Sequence, residues 1–282
     1  MPHLTTKFSR KASILRSEQA LSDDQMRAVA PSVFAESKHA SRSDKYEFIP
    51  TSQVLAGLRR EGFQPFMVAQ GATRVEGKAE FTKHMIRLRH EGQGKVQGQA
   101  NEIILINSHD GVSSYQLLAG VFRFVCCNGM VCGDVSHDIR IPHKGQVQDD
   151  VINGACRIIQ DFERVDGVID AMRLTVLDAH EQYELSRSML ALRYGTNEEG
   201  LLTAPVAADA PLTRQRLEDL GSDLWATFNV LQENLVRGGL PGRSRNGRRV
   251  TTRPIVGIDS NLALNRGLWE LAEAMLRQKR GL

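Results

Sequence analysis

The spacing of the apolar residues changes once along this chain, and that change constrains the fold more than any other feature. Before residue 148, short apolar runs separated by turn residues are typical of β-strands. After it, apolar residues recur at steps of three and four, which is the repeat of one helix face. This apolar stripe consists of Val151, Ile152, Ala155, Ile158, Ile159, Phe162, Val165, Val168, Ile169 and Met172. The sequence therefore predicts an α+β protein, in which an antiparallel-rich β-sheet domain precedes a mostly helical C-terminal part.

Three regions follow from this pattern. Residues 1–43 are predicted to form an N-terminal arm with a short helix around Ser22–Val29, residues 44–145 an α+β sheet domain, and residues 149–282 a helical domain with a Gly/Arg-rich loop at 237–253. Strands are expected at 65–73, 81–90, 102–107, 115–127 and 130–135, with Asn128-Gly129 as a hairpin turn, and further helices at 178–194, 212–236 and 260–280.

Composition limits the classes of protein to consider. The 282 residues are 41% hydrophobic and 24% charged, as in ordinary globular proteins, and no apolar run reaches the ~20 residues that span a bilayer. The four cysteines, at 126, 127, 132 and 156, do not form a disulfide framework, so a cytoplasmic protein without a membrane partner is expected. A net charge of +3 permits a nucleic-acid partner without requiring one.

The sequence offers no recognisable catalytic apparatus, and no catalytic residue or cofactor is predicted. Phosphate-binding loops and nucleophile elbows are absent. The tripeptide Ser-His-Asp occurs at 108–110 and again at 136–138, where turn chemistry explains it better than a catalytic triad. A zinc-dependent enzyme using Cys132, His137 and His143 stays an alternative, but the ligand spacing favours cysteines that are small core residues.

Basic residues interleave with apolar ones in the predicted strand at 81–90. Its one face would carry Phe81, Lys83, Arg87 and Arg89, together with Met85. Cations beside an aromatic ring could contact the phosphates and stack on the bases of a single strand. A solvated face without a ligand is the alternative.

Two further sets of arginines are candidate anion contacts. Arg123 lies among four large apolar residues, so it should be partly buried, either in an ion pair with Glu102 or Asp110 or against a bound anion. The loop at 237–253 holds six arginines and no acidic residue, and Arg243, Arg245, Arg248 and Arg249 are the predicted phosphate contacts. A solvated loop between helices is the other interpretation.

Several segments together resemble one protein family. They are Ala30–Ala35, Ser41-Arg42-Ser43, Ile49-Pro50-Thr51, Phe81–His84, Asn107–Gly111, Phe122–Gly129 and Leu262–Trp269. From about residue 22 onwards the chain resembles the family called domain of unknown function 932, in its enterobacterial prophage and plasmid branch. The resemblance implies an accessory protein of a mobile genetic element in a bacterial cytoplasm, and it transfers no activity and no catalytic residue.

Taken together, these features predict a non-catalytic nucleic-acid-binding protein that associates with itself and binds or anneals single-stranded DNA. A protein-interaction factor, acting in anti-defence or host takeover without binding DNA, is the first alternative. The zinc-dependent enzyme is the second.

Overall fold

The fold is described from a computed structural model, which describes residues 4–6, 12–42, 46–93, 98–124, 128–132, 138–244 and 246–281. The predicted class is confirmed: strands dominate the N-terminal part and helices the C-terminal part. The strands are β1 (Leu4–Thr6), β2 (Ala12–Arg16), β3 (Phe63–Gly71), β4 (His84–His90), β5 (Gln99–Asn107), β6 (Tyr115–Arg123), β7 (Asn128–Val131), β8 (Ile139–Ile141), β9 (Pro241–Arg243) and β10 (Arg249–Thr251). The helices are α1 (Asp23–Val29), α2 (Thr51–Arg60), α3 (Val147–Arg173), α4 (Ala179–Tyr194), α5 (Leu224–Arg237) and α6 (Ile258–Arg280).

The chain forms two compact units. The first contains residues 1–124, 133–162 and 256–258, and the second contains residues 125–132, 163–255 and 259–282. No helix among the described residues is both long and apolar enough to cross a membrane.

In the first unit, an antiparallel sheet runs in chain order from β1 to β6, and β8 pairs with β6. The N-terminal arm therefore differs from its prediction, because β1 and β2 are strands of this sheet. The predicted arm helix is present as α1, and Ser22 and Gln25 form a capping box at its start.

The core of the first unit lies between this sheet and the first half of α3. Val151, Ala155, Ile158 and Phe162 are buried in one cluster with Ile86, Leu88, Ile103, Leu105 and Leu117, which lie on the strands. The helical repeat in the sequence therefore located the face of α3 that packs on the sheet.

Asn128 and Gly129 do not form the predicted hairpin turn. Both residues lie within β7, while residues 125–127 and 133–137 fall outside the described part of the chain. Local turn propensity is a weak signal that tertiary pairing can override. The start of α5 also differs from prediction, since two short 3-10 turns, Ala210–Leu212 and Leu217–Asp219, precede it.

A glycine lets α3 approach the sheet closely. A methyl group on Gly154 would lie 2.7 Å from Leu117 Cδ1, and Ile139 is also near. Further along the same helix, a methyl group on Gly167 would meet no atom within 4 Å. The same helix thus contains one glycine with no room for a methyl group and one with room for it.

We expect Gly154→Ala to lower the free energy of unfolding by about 1–2 kcal/mol, because overpacking outweighs the gain in helix propensity. Gly167→Ala is the matched control and should raise it by up to about 1 kcal/mol. Urea denaturation of both variants measures the difference. Equal stabilisation by the two substitutions would show that α3 does not pack on β6 at Gly154.

Candidate functional site

The basic strand predicted at 81–90 is not an exposed surface. Its strand β4 begins at His84 and pairs with β3 on one side and β5 on the other. Arg87 and Arg89 are only 4% and 8% exposed. The solvated face considered from the sequence is not found at these two residues, because both sides of β4 are buried.

A single buried carboxylate pairs with both arginines. Glu102 on β5 accepts a hydrogen bond from Arg87 Nη1 at 3.0 Å through one oxygen and from Arg89 Nε at 2.8 Å through the other. The Arg89 guanidinium also lies over the rings of Phe66, Phe122 and Phe124, 4.2–5.0 Å from their centroids. Glu102 therefore neutralises both arginines inside the sheet, and these contacts stabilise the sheet.

The other three residues of the first unit that were predicted to contact nucleic acid lie in different surroundings. Phe81 ends a short 3-10 turn and is half-buried, and its ring packs edge-on against His39, with 5.3 Å between the ring centroids. Lys83 is half-buried and lies between two buried residues, Thr82 and His84. Arg123 ends β6 and is 9% exposed, which confirms that it is buried.

A buried network of polar side chains centres on the hydroxyl of Thr51, the first residue of α2. Thr51 Oγ1 lies 2.9 Å from His84 Nε2, 3.2 Å from His109 Nε2, 3.2 Å from the Tyr115 hydroxyl and 3.0 Å from Asn107 Nδ2. All five residues are completely buried. The network therefore ties α2 to the ends of β4 and β5 and to the start of β6.

The hydrogen bonds of this network indicate which nitrogen of each histidine carries a proton. Tyr115 donates to the carbonyl of Ile49 and Asn107 donates to Thr51, so the Thr51 hydroxyl is left with one hydrogen to give. His84 Nδ1 lies near the Thr82 carbonyl and the Ser32 hydroxyl, which donates to Gln70, so Nδ1 carries the proton. Nε2 of His84 then accepts the hydrogen of Thr51.

The same reasoning extends to the other two histidines. One lone pair of the Thr51 hydroxyl accepts from Asn107, and the other is free to accept from Nε2 of His109. His109 is then protonated at Nε2, and its Nδ1 is a buried acceptor without a hydrogen-bond partner among the described residues. Asn107 Oδ1 accepts from His143 Nε2 at 3.0 Å. The arrangement is consistent with three neutral imidazoles.

Burial disfavours the charged form of each of these histidines. It lowers the pKa of His84 from 6.5 to about 3, with a further contribution from His109, and it lowers the pKa of His109 to about 4, with a contribution from His143. The pKa of His143 is also lowered by burial. Burial raises the pKa of the neighbouring Tyr46 to about 12, so its hydroxyl stays protonated and donates to the Ser108 carbonyl.

The turn at residues 108–113 confirms the turn interpretation of the first Ser-His-Asp tripeptide. Ser108 Oγ accepts from the Ser113 amide at 2.8 Å, and Asp110 Oδ1 accepts from the Val112 amide at 3.1 Å. These are bonds from side chain to local backbone, not a catalytic relay. Of the second tripeptide, residues 136 and 137 lie outside the described part of the chain.

The Gly/Arg-rich segment of the second unit is an ordered β-hairpin rather than a loop. Strands β9 and β10 pair antiparallel, and the Ser244 amide donates to the Arg248 carbonyl at the turn. Gly242 allows the hairpin to lie against the chain at Pro205, since a methyl group there would be 2.1 Å from the Pro205 carbonyl oxygen. The Arg243 amide donates to that same oxygen at 2.7 Å.

This hairpin exposes the predicted arginines. Arg243, Arg248 and Arg249 are all exposed, and Arg245 lies outside the described residues. Arg243 stands directly opposite Arg249 in the register of the two strands. By contrast, Arg237 forms an ion pair with Glu233 at 2.6 Å, so its charge is already neutralised by a carboxylate.

The described residues give no support to a zinc site. Cys132 is buried, His143 belongs to the Thr51 network, and His137, Cys126 and Cys127 fall outside the described part. Within that part, no group of three or more His, Cys, Asp or Glu side chains could hold a metal ion.

Stability should fall in mild acid because of the buried histidines. Their pKa values are lower in the folded chain than in the unfolded one, so the unfolded chain binds protons first as the pH drops below about 6.5. We expect His84 and His109 each to remove up to about 1.4 kcal/mol of stability per pH unit between pH 6.5 and 4. Urea denaturation across this range measures the slope.

Two variants control this measurement. His84→Gln should be less stable at neutral pH, but its stability should depend less on pH, whereas His180→Gln removes an exposed histidine and should leave the slope unchanged. An unchanged slope in His84→Gln would mean that His84 does not remain neutral in the folded state.

Comparison with known proteins places this chain in a family. The model of the family described as "Domain of unknown function (DUF932)" matches residues 38–269. Two proteins of Escherichia coli strain K12 are similar over 280 residues, 99% of this chain and 99% of their own length: UPF0380 protein YafZ at 46% identity and UPF0380 protein YfjQ at 45%. No solved structure matches.

Four of the segments that carried the resemblance in the sequence contribute to the Thr51 network. They supply Ser32, Thr51, His84, and Asn107 with His109. Sequence reasoning did not connect them, although their presence in the matching segments was the available signal. The chain belongs to the DUF932 family of proteins.

Proposed function

We propose that this protein is a non-catalytic nucleic-acid-binding protein that holds single-stranded DNA through the arginines of the β9–β10 hairpin. The carrying observation is the cross-strand pair of Arg243 and Arg249. Like charges directly opposite each other in an antiparallel pair are destabilising, and a phosphate between them would relieve the repulsion. A two-stranded hairpin has little stability of its own to offset that cost.

The surroundings of the pair support an anionic partner. Arg248 is a third exposed cation beside the turn, and the whole segment from 237 to 253 contains no acidic residue. The hydrogen bond from the Arg243 amide to the Pro205 carbonyl anchors the hairpin, so the arginines are presented on a regular element. This segment also contains no aromatic ring, so we expect binding through phosphates that does not depend on base sequence.

The buried arginines of β4 contribute nothing to this proposal. Arg87 and Arg89 are paired with Glu102, and opening that cluster to a ligand would leave the carboxylate without its partners. The predicted self-association, and the prediction of a bacterial mobile-element setting, are compatible with the proposal and independent of the hairpin.

Neutralising the hairpin should weaken binding. We expect the triple substitution of Arg243, Arg248 and Arg249 by Gln to reduce affinity for all single-stranded oligonucleotides alike. Losing three phosphate contacts should also make the slope of log affinity against log salt shallower by about 2. Fluorescence anisotropy with labelled single- and double-stranded oligonucleotides over a salt series measures both quantities.

The matched control removes the same charge elsewhere. Arg60, Arg157 and Arg280 are exposed, and their triple substitution by Gln should leave the salt slope nearly unchanged. Equal losses in the two triple variants would reduce the effect to net charge and contradict a hairpin site. If the wild-type chain binds no oligonucleotide at low salt, the protein-interaction alternative takes its place.

The repulsion between Arg243 and Arg249 can be measured in the protein without any ligand. Arg249→Gln should leave the free energy of unfolding unchanged or raise it by about 0.2–1 kcal/mol, because it removes a like-charge pair. Thermal or urea unfolding of the free protein gives the answer. Marked destabilisation would show that Arg249 makes a structural contact instead.

A further inference from the structure

Arg42 lies against a tight turn of the first unit, far in sequence from the hairpin. Its guanidinium occupies the space beside Gly111, where a methyl group would be 2.2 Å from Nη1 and 2.8 Å from Cδ. Gly111 also has φ of +76°, which favours glycine. The turn is therefore shaped to let this guanidinium approach its backbone.

The hydrogen-bonding capacity of Arg42 is largely unused. Nε and Nη2 donate to the Ser41 hydroxyl at 3.3 and 3.2 Å, and that hydroxyl also contacts His39. In the described part of the chain, no carboxylate pairs with Arg42. A half-buried guanidinium with five N–H donors and one hydroxyl partner is well suited to an oxyanion ligand.

A second cation stands at the same turn. Lys78 Nζ lies 3.1 Å from Asp110 Oδ2, and the other oxygen of Asp110 accepts from the Val112 amide. The only carboxylate of this turn is thus occupied by Lys78 and by backbone. Burial and the charge of Asp110 raise the pKa of Tyr46 to about 12, and the nearby charge of Arg42 opposes that shift.

The turn is a rigid platform. The His109 amide donates to the Phe81 carbonyl at 3.0 Å, and the His39 amide donates to the His109 carbonyl at 3.1 Å. Below it, the His109 side chain joins the buried Thr51 network. A ligand bound to Arg42 would therefore meet a preorganised surface, which lowers the entropy lost on binding.

We propose that Arg42, where it lies against the Asp110–Gly111 turn, forms a phosphate-binding site of the first unit. The ligand is a phosphoryl group, supplied either by a phosphodiester of a nucleic-acid strand or by a free phosphate. The site belongs to the first unit and the β9–β10 hairpin to the second, and the proposal does not depend on the function proposed for the hairpin. It gives a role to the Ser41-Arg42 and Asn107–Gly111 segments on which the family resemblance rested.

Proton–nitrogen correlation NMR of the full chain tests the site directly. Two probes are titrated separately, a thymidine dinucleotide with one internal phosphodiester and inorganic phosphate. We expect saturable shifts of the Gly111 and Val112 amide signals with at least one probe, and about tenfold weaker binding in Arg42→Gln. A response to the dinucleotide alone identifies the strand as the source, and a response to inorganic phosphate identifies the free anion.

Controls separate this site from the hairpin and from general charge effects. Arg60→Gln removes an exposed arginine of the same unit and should titrate like the wild type. The hairpin triple variant should also keep the Gly111 response, whether or not it has lost oligonucleotide binding. The proposal is overturned if the Gly111 signal does not move with either probe at millimolar concentration, or if Arg42→Gln titrates like the wild type.

Discussion

The hydroxyl of Thr51 is the contact on which the first unit depends. It is the meeting point of two imidazoles, an amide and a phenol that are brought together by α2, β4, β5 and β6. Because a hydroxyl has one hydrogen and two lone pairs, its partners must adopt complementary protonation states. The network thereby fixes the ends of three strands and supports the turn that carries Gly111. Burial keeps the histidines of the network neutral, because it lowers their pKa values, and Nδ1 of His109 is left without a hydrogen-bond partner among the described residues.

The arginines of β4 and those of the β9–β10 hairpin differ in a way that the sequence does not show. Those on β4 are buried and share Glu102, and their role is to stabilise the sheet. Those on the β9–β10 hairpin are exposed, and two of them oppose each other. In the part of the chain that the structure describes, no carboxylate forms an ion pair with Arg243, Arg248 or Arg249, so their charge is available to a partner. The same distinction separates Arg42, whose partner among the described residues is the Ser41 hydroxyl, from Lys78, which pairs with Asp110.

Much of the fold could be predicted because the signals were local. The repeat of apolar residues in α3 and the capping residues of α1 act over one or two helical turns. The misassigned features depended on distant partners instead. Nothing near Arg87 and Arg89 indicates that Glu102 will neutralise them, so their alternation with apolar residues resembled an exposed face. β2 could not be recognised as a sheet strand without knowing that it pairs with β3.

The candidate sites show the same limit. Thr51 and Tyr115 are 64 positions apart in the chain, so their contact has no local signature. The hairpin arginines were found because they are concentrated in one short segment. Their cross-strand register could not be foreseen, because β9 and β10 are three residues each and β9 begins with proline and glycine, which disfavour strands.

The most direct test of the central claim is to locate bound DNA on the protein. Ultraviolet crosslinking of the wild-type chain to a photoreactive single-stranded oligonucleotide, followed by mass spectrometry of the peptides, reports which residues are adjacent to the strand. The account predicts crosslinks concentrated in the segment from 237 to 253, lost when excess unlabelled oligonucleotide competes. Specific crosslinks that leave this segment unlabelled would contradict it.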